Sequence, residues 1–159
     1  MNEGLKYAGI MTLTLRGHDG EVKDVRKEHN VITNAGLDYL IKSTMDSSLT
    51  AMTVFYVGTT ASGAGSEAAT DTTGDTVEIF RQAFTYASGA TVGQASATST
   101  IAASGAGGAT TTGITEAGIF NGLAGANSGD GVLFARAIFA AVNKGASDTL
   151  EIKWDISYS

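Results

Sequence analysis

Cysteine and proline are both absent from the 159 residues. Without cysteine there is no disulfide framework, no thiolate nucleophile and no cysteine-ligated zinc, and redox chemistry gives no compartment. Histidine is scarce: His18 falls in a tight turn and His29 beside an expected edge strand. Neither has a base or metal partner at motif spacing, so both read as solvated surface residues. No apolar run approaches the roughly 20 residues that span a bilayer, and Met1 to Ile10 lacks a signal-peptide core, which predicts a soluble chain with no membrane partner. Basic charge is thin as well. Residues 1–42 hold six of the ten basic residues against six acids, leaving four bases against ten acids in the rest, which carries the whole net charge of -6. Such a body lacks the phosphate footprint of direct nucleic-acid binding. Gly105-Ala-Gly107-Gly108 has no Lys-Ser/Thr after it, and Asp71, Asp75, Asp130 and Asp148 sit in turns without calcium-loop spacing. No cofactor, metal or catalytic residue is expected.

What is present is glycine, 21 residues of it, with abundant Ala, Ser and Thr and a scatter of β-branched and aromatic residues. Strands with many turns follow. At this length a chain buries about 70% of its unfolded surface, enough for its own core. The expected fold is all-β: one antiparallel, jelly-roll-like β-sandwich domain over residues 1–159, of about eight strands, with a short N-terminal arm over about 1–6. Tyr7 to Arg16 alternates cleanly, with Met11, Leu13 and Leu15 on one face, and Asp19-Gly20 turns it into a return strand, Glu21 to Glu28. Val22 and Val25 fall on opposite faces of that strand, which predicts a bulge or an exposed, charge-protected edge. One helix is expected near residues 35–45, capped by Thr33 or Asn34, with Leu37, Leu40, Ile41 and Thr44 or Met45 as its inward stripe.

Met52 to Val57 and Val77 to Tyr86 read as further strands, separated by a long polar loop, Thr59 to Thr76, of the kind that faces outward or meets a partner. From Gln82 to Thr115 no residue is charged, a stretch of 34. Thr91 to Ala102 within it predicts a strand of small side chains, followed by a loop, Ser104 to Thr110. Two readings stand side by side: a chargeless surface of small residues suits packing against another protein, because neither desolvated charge nor long-side-chain entropy opposes contact, and the same stretch also fits a flexible linker plus an ordinary sandwich strand. If the chain binds other protein copies, the contact regions are the arm (Met1 to Lys6), the charged edge (Lys23, Arg26, Lys27), which by itself reads as a solvated strand face, and the small-residue surface from Thr91 to Thr112, including Thr100 and Thr110.

The chain is organised around its last stretch. Gly113 to Asn121, Val132 to Ala141 and Leu150 to Tyr158 read as three strands of a β-meander. A first hairpin turning about Ala126 sets Glu116 against Arg136, Gly118 against Phe134 and Phe120 against Val132. A second about Gly145 sets Arg136 against Trp154, Phe134 against Ile156 and Ile138 against Ile152. Glu116, Arg136 and Trp154 would then form a structural latch, an ion pair on one side of the guanidinium and an indole on the other.

Three segments in order resemble small β-sandwich virion structural proteins of tailed bacteriophages: Asn30-Val-Ile-Thr-Asn-Ala-Gly-Leu37, Gly113-Ile-Thr-Glu-Ala-Gly-Ile-Phe-Asn121, and Val132-Leu-Phe-Ala-Arg136 followed by Asp148-Thr-Leu-Glu-Ile-Lys-Trp-Asp-Ile156. The resemblance covers most of the chain and implies a virion component without catalytic residues. Lacking a coiled-coil shaft, repeat array or attachment domain, the chain is expected to be a capsid decoration, or cement, protein on the head surface rather than a tail, baseplate or fibre component. Its implied partners are the major capsid protein or other virion proteins, and it would form a homotrimer or other homo-oligomer. A carbohydrate-binding sandwich is the reading from another class, and it requires Tyr56, Tyr86 or Trp154 to face solvent.

Overall fold

The computed structural model describes residues 6–60, 68–71, 76–104, 111–122 and 131–158. Its first strand, β1 (Tyr7–Arg16), buries Met11, Leu13 and Leu15, as its alternation requires. The turn at Gly17–Gly20 returns the chain as β2 (Val22–His29), an edge strand whose register on β1 slips between Leu15 and Arg16. That slip is the bulge that the placement of Val22 and Val25 demands, and both valines are exposed.

After Asn30 the same path continues as β3 (Val31–Ile32), which lies on β9 (Leu133–Lys144) in the opposite sheet. The helix α1 (Asn34–Ser43) follows, with the Thr33 hydroxyl accepting the Gly36 N–H at 2.9 Å and donating to the Leu133 carbonyl. Next come β4 (Val54–Thr60), β5 (Thr76–Ala83), β6 (Thr85–Ser88), β7 (Gln94–Ile101), β8 (Thr111–Phe120), β9 and β10 (Thr149–Tyr158). One sheet has the order β2-β1-β10-β7-β6, the other β3-β9-β8-β4-β5. All pairings are antiparallel.

The Val77 to Tyr86 stretch is one continuous path with a corner at Phe84, whose N–H bonds the Thr53 carbonyl at 3.0 Å. Before the corner it pairs with β4, after it with β7. With β2/β3 and β5/β6 each read as one bent strand, the ten ladder segments are eight strands, and the two sheets are joined along both sides. The core between them holds Met11, Leu13, Phe55, Val57, Ile114, Ile119, Leu150, Ile152 and Trp154.

Three expectations are corrected. The last three strands are no meander: β8 and β9 form a hairpin, but β10 crosses to the other sheet and lies between β1 and β7. Neither Arg136 with Trp154, Phe134 with Ile156, nor Ile138 with Ile152 is a strand pair. The connection after Lys144 is short, and a short turn serves an arch between sheets as readily as a hairpin. Within the β8–β9 hairpin the register differs as well. Gly118 faces Arg136, Glu116 faces Ile138 and Phe120 faces Leu133, with three irregularities along the ladder. Last, α1 does not turn its whole stripe inward. Gly36 is its buried residue, against the Phe134 backbone, while Ile41 is 65% exposed and Met45, past the helix end at Ser43, is 89% exposed.

Candidate functional site

The outer face of the second sheet carries a buried polar cluster. Register places Tyr56, Gly118 and Arg136 side by side on β4, β8 and β9, and Glu116 is two residues along β8 on the same face. Arg136 Nε donates to Glu116 Oε2 at 2.9 Å, and Nη2 donates to the same oxygen. Tyr56 Oη donates to Glu116 Oε1 at 2.6 Å. Arg136 Nη1 reaches Asp71 Oδ2 at 2.6 Å, and that oxygen also accepts the Ala68 N–H. Glu116 and Arg136 are each 0% exposed. Gly118 makes the arrangement possible, since a Cβ there would stand 2.2 Å from Tyr56 Cε1 and 2.7 Å from the Ala135 carbonyl. Beside it Arg81 forks onto Glu78 with two bonds of 2.8 Å and lies 4.6 Å over the Phe120 ring.

Burial, reinforced by the adjacent Glu116 carboxylate, drives the Tyr56 hydroxyl well above the ordinary phenol range. Burial alone would lower Arg136, but its bonds to Glu116 and Asp71 outweigh it and raise its pKa. Both Glu116 oxygens are engaged, and the cluster fastens residues 68–71 across the sheet. Asn34 N–H bonds the Ala69 carbonyl at 2.7 Å, so the same segment also holds the start of α1. The Glu116–Arg136 half of the expected latch is therefore present. Trp154 is not part of it: the indole is buried in the core, with its ring centroid 5.8 Å from that of Phe55.

A second cluster lies where β9 turns into β10. Lys23 Nζ meets Asp148 Oδ1 at 2.6 Å, and Asp148 Oδ2 accepts the Gly145 N–H at 3.0 Å. The bond to Lys23, helped by that N–H, holds the Asp148 carboxyl below its ordinary value, while burial lowers the neighbouring Lys144 amine. Lys23, expected to face a partner, is thus committed within the chain, and Arg26 is bonded to Asp24 at 2.6 Å. Lys6, Lys27 and Thr100 are exposed, as are His18 and His29. Thr110, Asp75, Asp130, most of the arm and most of the Thr59 to Thr76 and Ser104 to Thr110 loops lie outside the described residues.

The third region is open. Where the chain leaves β4 at the Phe84 corner between β5 and β6, the sandwich gapes into a crevice of about 460 Å³ walled by Met52, Phe84, Tyr86, Leu40, Phe134 and Ile156. An adjoining groove of about 330 Å³ shares part of that lining and adds Tyr7, Gln94 and Tyr158. None of the residues lining either is charged. Tyr86, Val92 and Tyr158 stand at or beside the rim, 67%, 92% and 47% exposed.

No family model, curated protein or solved structure matches the chain.

The crevice offers apolar walls, tyrosine and serine hydroxyls and a strand edge, which suits protein side chains and backbone more than a charged small molecule. Of the aromatics that a carbohydrate platform requires, Tyr56 and Trp154 are buried and Tyr86 is exposed. Sequence reasoning missed Tyr56, Asp71 and Arg81 as members of the buried cluster. The alternation of Val54 and Tyr56 against Phe55 and Val57 was a usable signal for a strand buried on both faces. Nothing local links Asp71 to Arg136, 65 residues away.

Proposed function

We propose that this chain is a structural virion protein of a tailed bacteriophage, a decoration protein that binds the outer surface of the head and stabilises the lattice of the major capsid protein. The observation that carries the reading is the exposed, chargeless margin formed by β6, the turn after it and β7. Every residue of β6 is exposed, the turn presents Val92, and neither strand has a charged side chain to desolvate on contact. The three segments that resemble phage virion proteins point the same way. A protein that binds only the assembled lattice stabilises it by mass action, and many copies on a symmetric surface let modest interfaces sum to a large effect. Made in the host cytoplasm, it would act on the capsid surface.

Heads of the encoding phage, prepared without this protein and mixed with it, test the reading by sedimentation. Co-sedimentation with heads, and heads that withstand more heating, are the expected results. Recovery with isolated tails alone moves the protein to the tail, baseplate or fibre. Recovery with neither overturns the virion reading.

A further inference from the structure

The two edges of the first sheet are protected very differently. Strand β2 carries Lys23, Asp24, Arg26, Lys27 and Glu28 and has a bulge, which are the devices that keep an edge from pairing with another chain. Strand β6, Thr85-Tyr86-Ala87-Ser88, has no charge, no proline and an unbroken register on β7. Gly89 N–H bonds the Gln94 carbonyl at 2.9 Å, which fixes the alternation along this ladder. Thr85 and Ala87 turn their backbone groups toward β7, and Tyr86 and Ser88 turn theirs to the unpaired side.

We propose that β6 pairs antiparallel with β6 of a second copy of this chain, about a two-fold axis through Ala87. That axis sets Tyr86 of each copy opposite Ser88 of the other, so the outward N–H and C=O groups of both residues bond reciprocally, four bonds in all. Ala87 meets its own equivalent at the closest approach of the strands, where a small side chain fits and a charged one would face its like. The chargeless strand is what makes the edge self-complementary. Both Tyr86 rings then lie on one face, over the mouths of the two crevices, and two five-stranded sheets become one. With four residues in the strand, the edge accepts a single partner copy. The inference concerns the free protein; it takes the β6 edge itself and leaves the Val92 turn and β7 for the lattice contact of the proposed function.

Ala87 is exposed opposite Ser96, on the outer face, so substitution there leaves the core untouched. Sedimentation velocity over a concentration series should show wild-type dimers. Ala87→Lys and Ala87→Glu should each be monomeric with unchanged melting temperature, and an equimolar mixture should restore the dimer. Hydrogen exchange at the Tyr86 and Ser88 amides should slow as the wild-type protein dimerises. A wild-type monomer at every concentration overturns the pairing, as does a trimer, or a dimer that both variants retain. Slowed exchange at these amides only when heads are added assigns the edge to the lattice and also overturns it.

Discussion

Glu116 and Arg136 show how a buried charge is held in this chain. Removing one member of a buried, hydrogen-bonded pair leaves the other desolvated, which costs about 3–5 kcal/mol. Glu116→Gln should fall near the low end, about 3 kcal/mol, because Asp71 still meets the guanidinium. Glu116→Leu combined with Arg136→Met should cost less than the sum of the single changes, and a double-mutant cycle by urea unfolding measures the difference. Asp148 gives a pH signature. Its carboxyl is held below the ordinary value of about 4, so the bond to Lys23 contributes stability above that pH and loses it as pH falls through the depressed value. Melting temperatures plotted against pH between about 2 and 5, a range on the order of the carboxylate pKa values, should fall more steeply with acid for the wild type than for Asp148→Asn. The effect is small, since Lys23 is half exposed.

At the scale of the element, the helix depends on one glycine. A Cβ on Gly36 would stand 2.6 Å from Phe134 Cα and 2.8 Å from its carbonyl oxygen, and neither backbone atom can rotate aside. Gly36→Ala should therefore lose about 1–3 kcal/mol despite the roughly 1 kcal/mol that alanine gains in a helix, with faster amide exchange over Leu37 to Lys42 as the local readout. The helix, its Thr33 cap and the strand segments were legible because each is written in adjacent residues: an N-cap hydroxyl, a period of two, a Gly-rich turn. Which strands pair was less legible. Leu150, Ile152 and Trp154 are buried whether β10 lies beside β9 or across from it, so alternation states the face and leaves the neighbour open. The Glu116–Arg136 contact survived a wrong register because the two-residue slip keeps both side chains on one face, where a diagonal neighbour is still in reach. The crevice was not legible at all. It arises from the corner at Phe84, and the Val77 to Tyr86 pattern gives no sign that its partner changes partway along.

Across the whole molecule, the segments around Thr33, Glu116 and Asn121 have mechanical tasks. Thr33 and Gly36 seat the helix, Glu116 and Gly118 build the buried cluster, and Asn121 Oδ1 accepts the Val132 N–H at 2.6 Å to close the base of the β8–β9 hairpin. Two bent strands join the sheets at their sides, so the slab is braced on both margins.

Strand β1 runs beside β10 along its full length, with Tyr7 paired to Tyr158 and their rings 5.9 Å apart. The first and last strands among the described residues are thus neighbours, with Tyr7 and Tyr158 close enough for a short linker to join this end of the sheet. Joining Lys6 to Tyr158 through a short glycine linker and cutting at the exposed Asp19–Gly20 turn gives a circular permutant that should fold with the parent's circular dichroism spectrum. A permutant that melts cooperatively but a few degrees lower fits this view, and one that never folds would mean that the β1–β2 turn is needed to start the sheet.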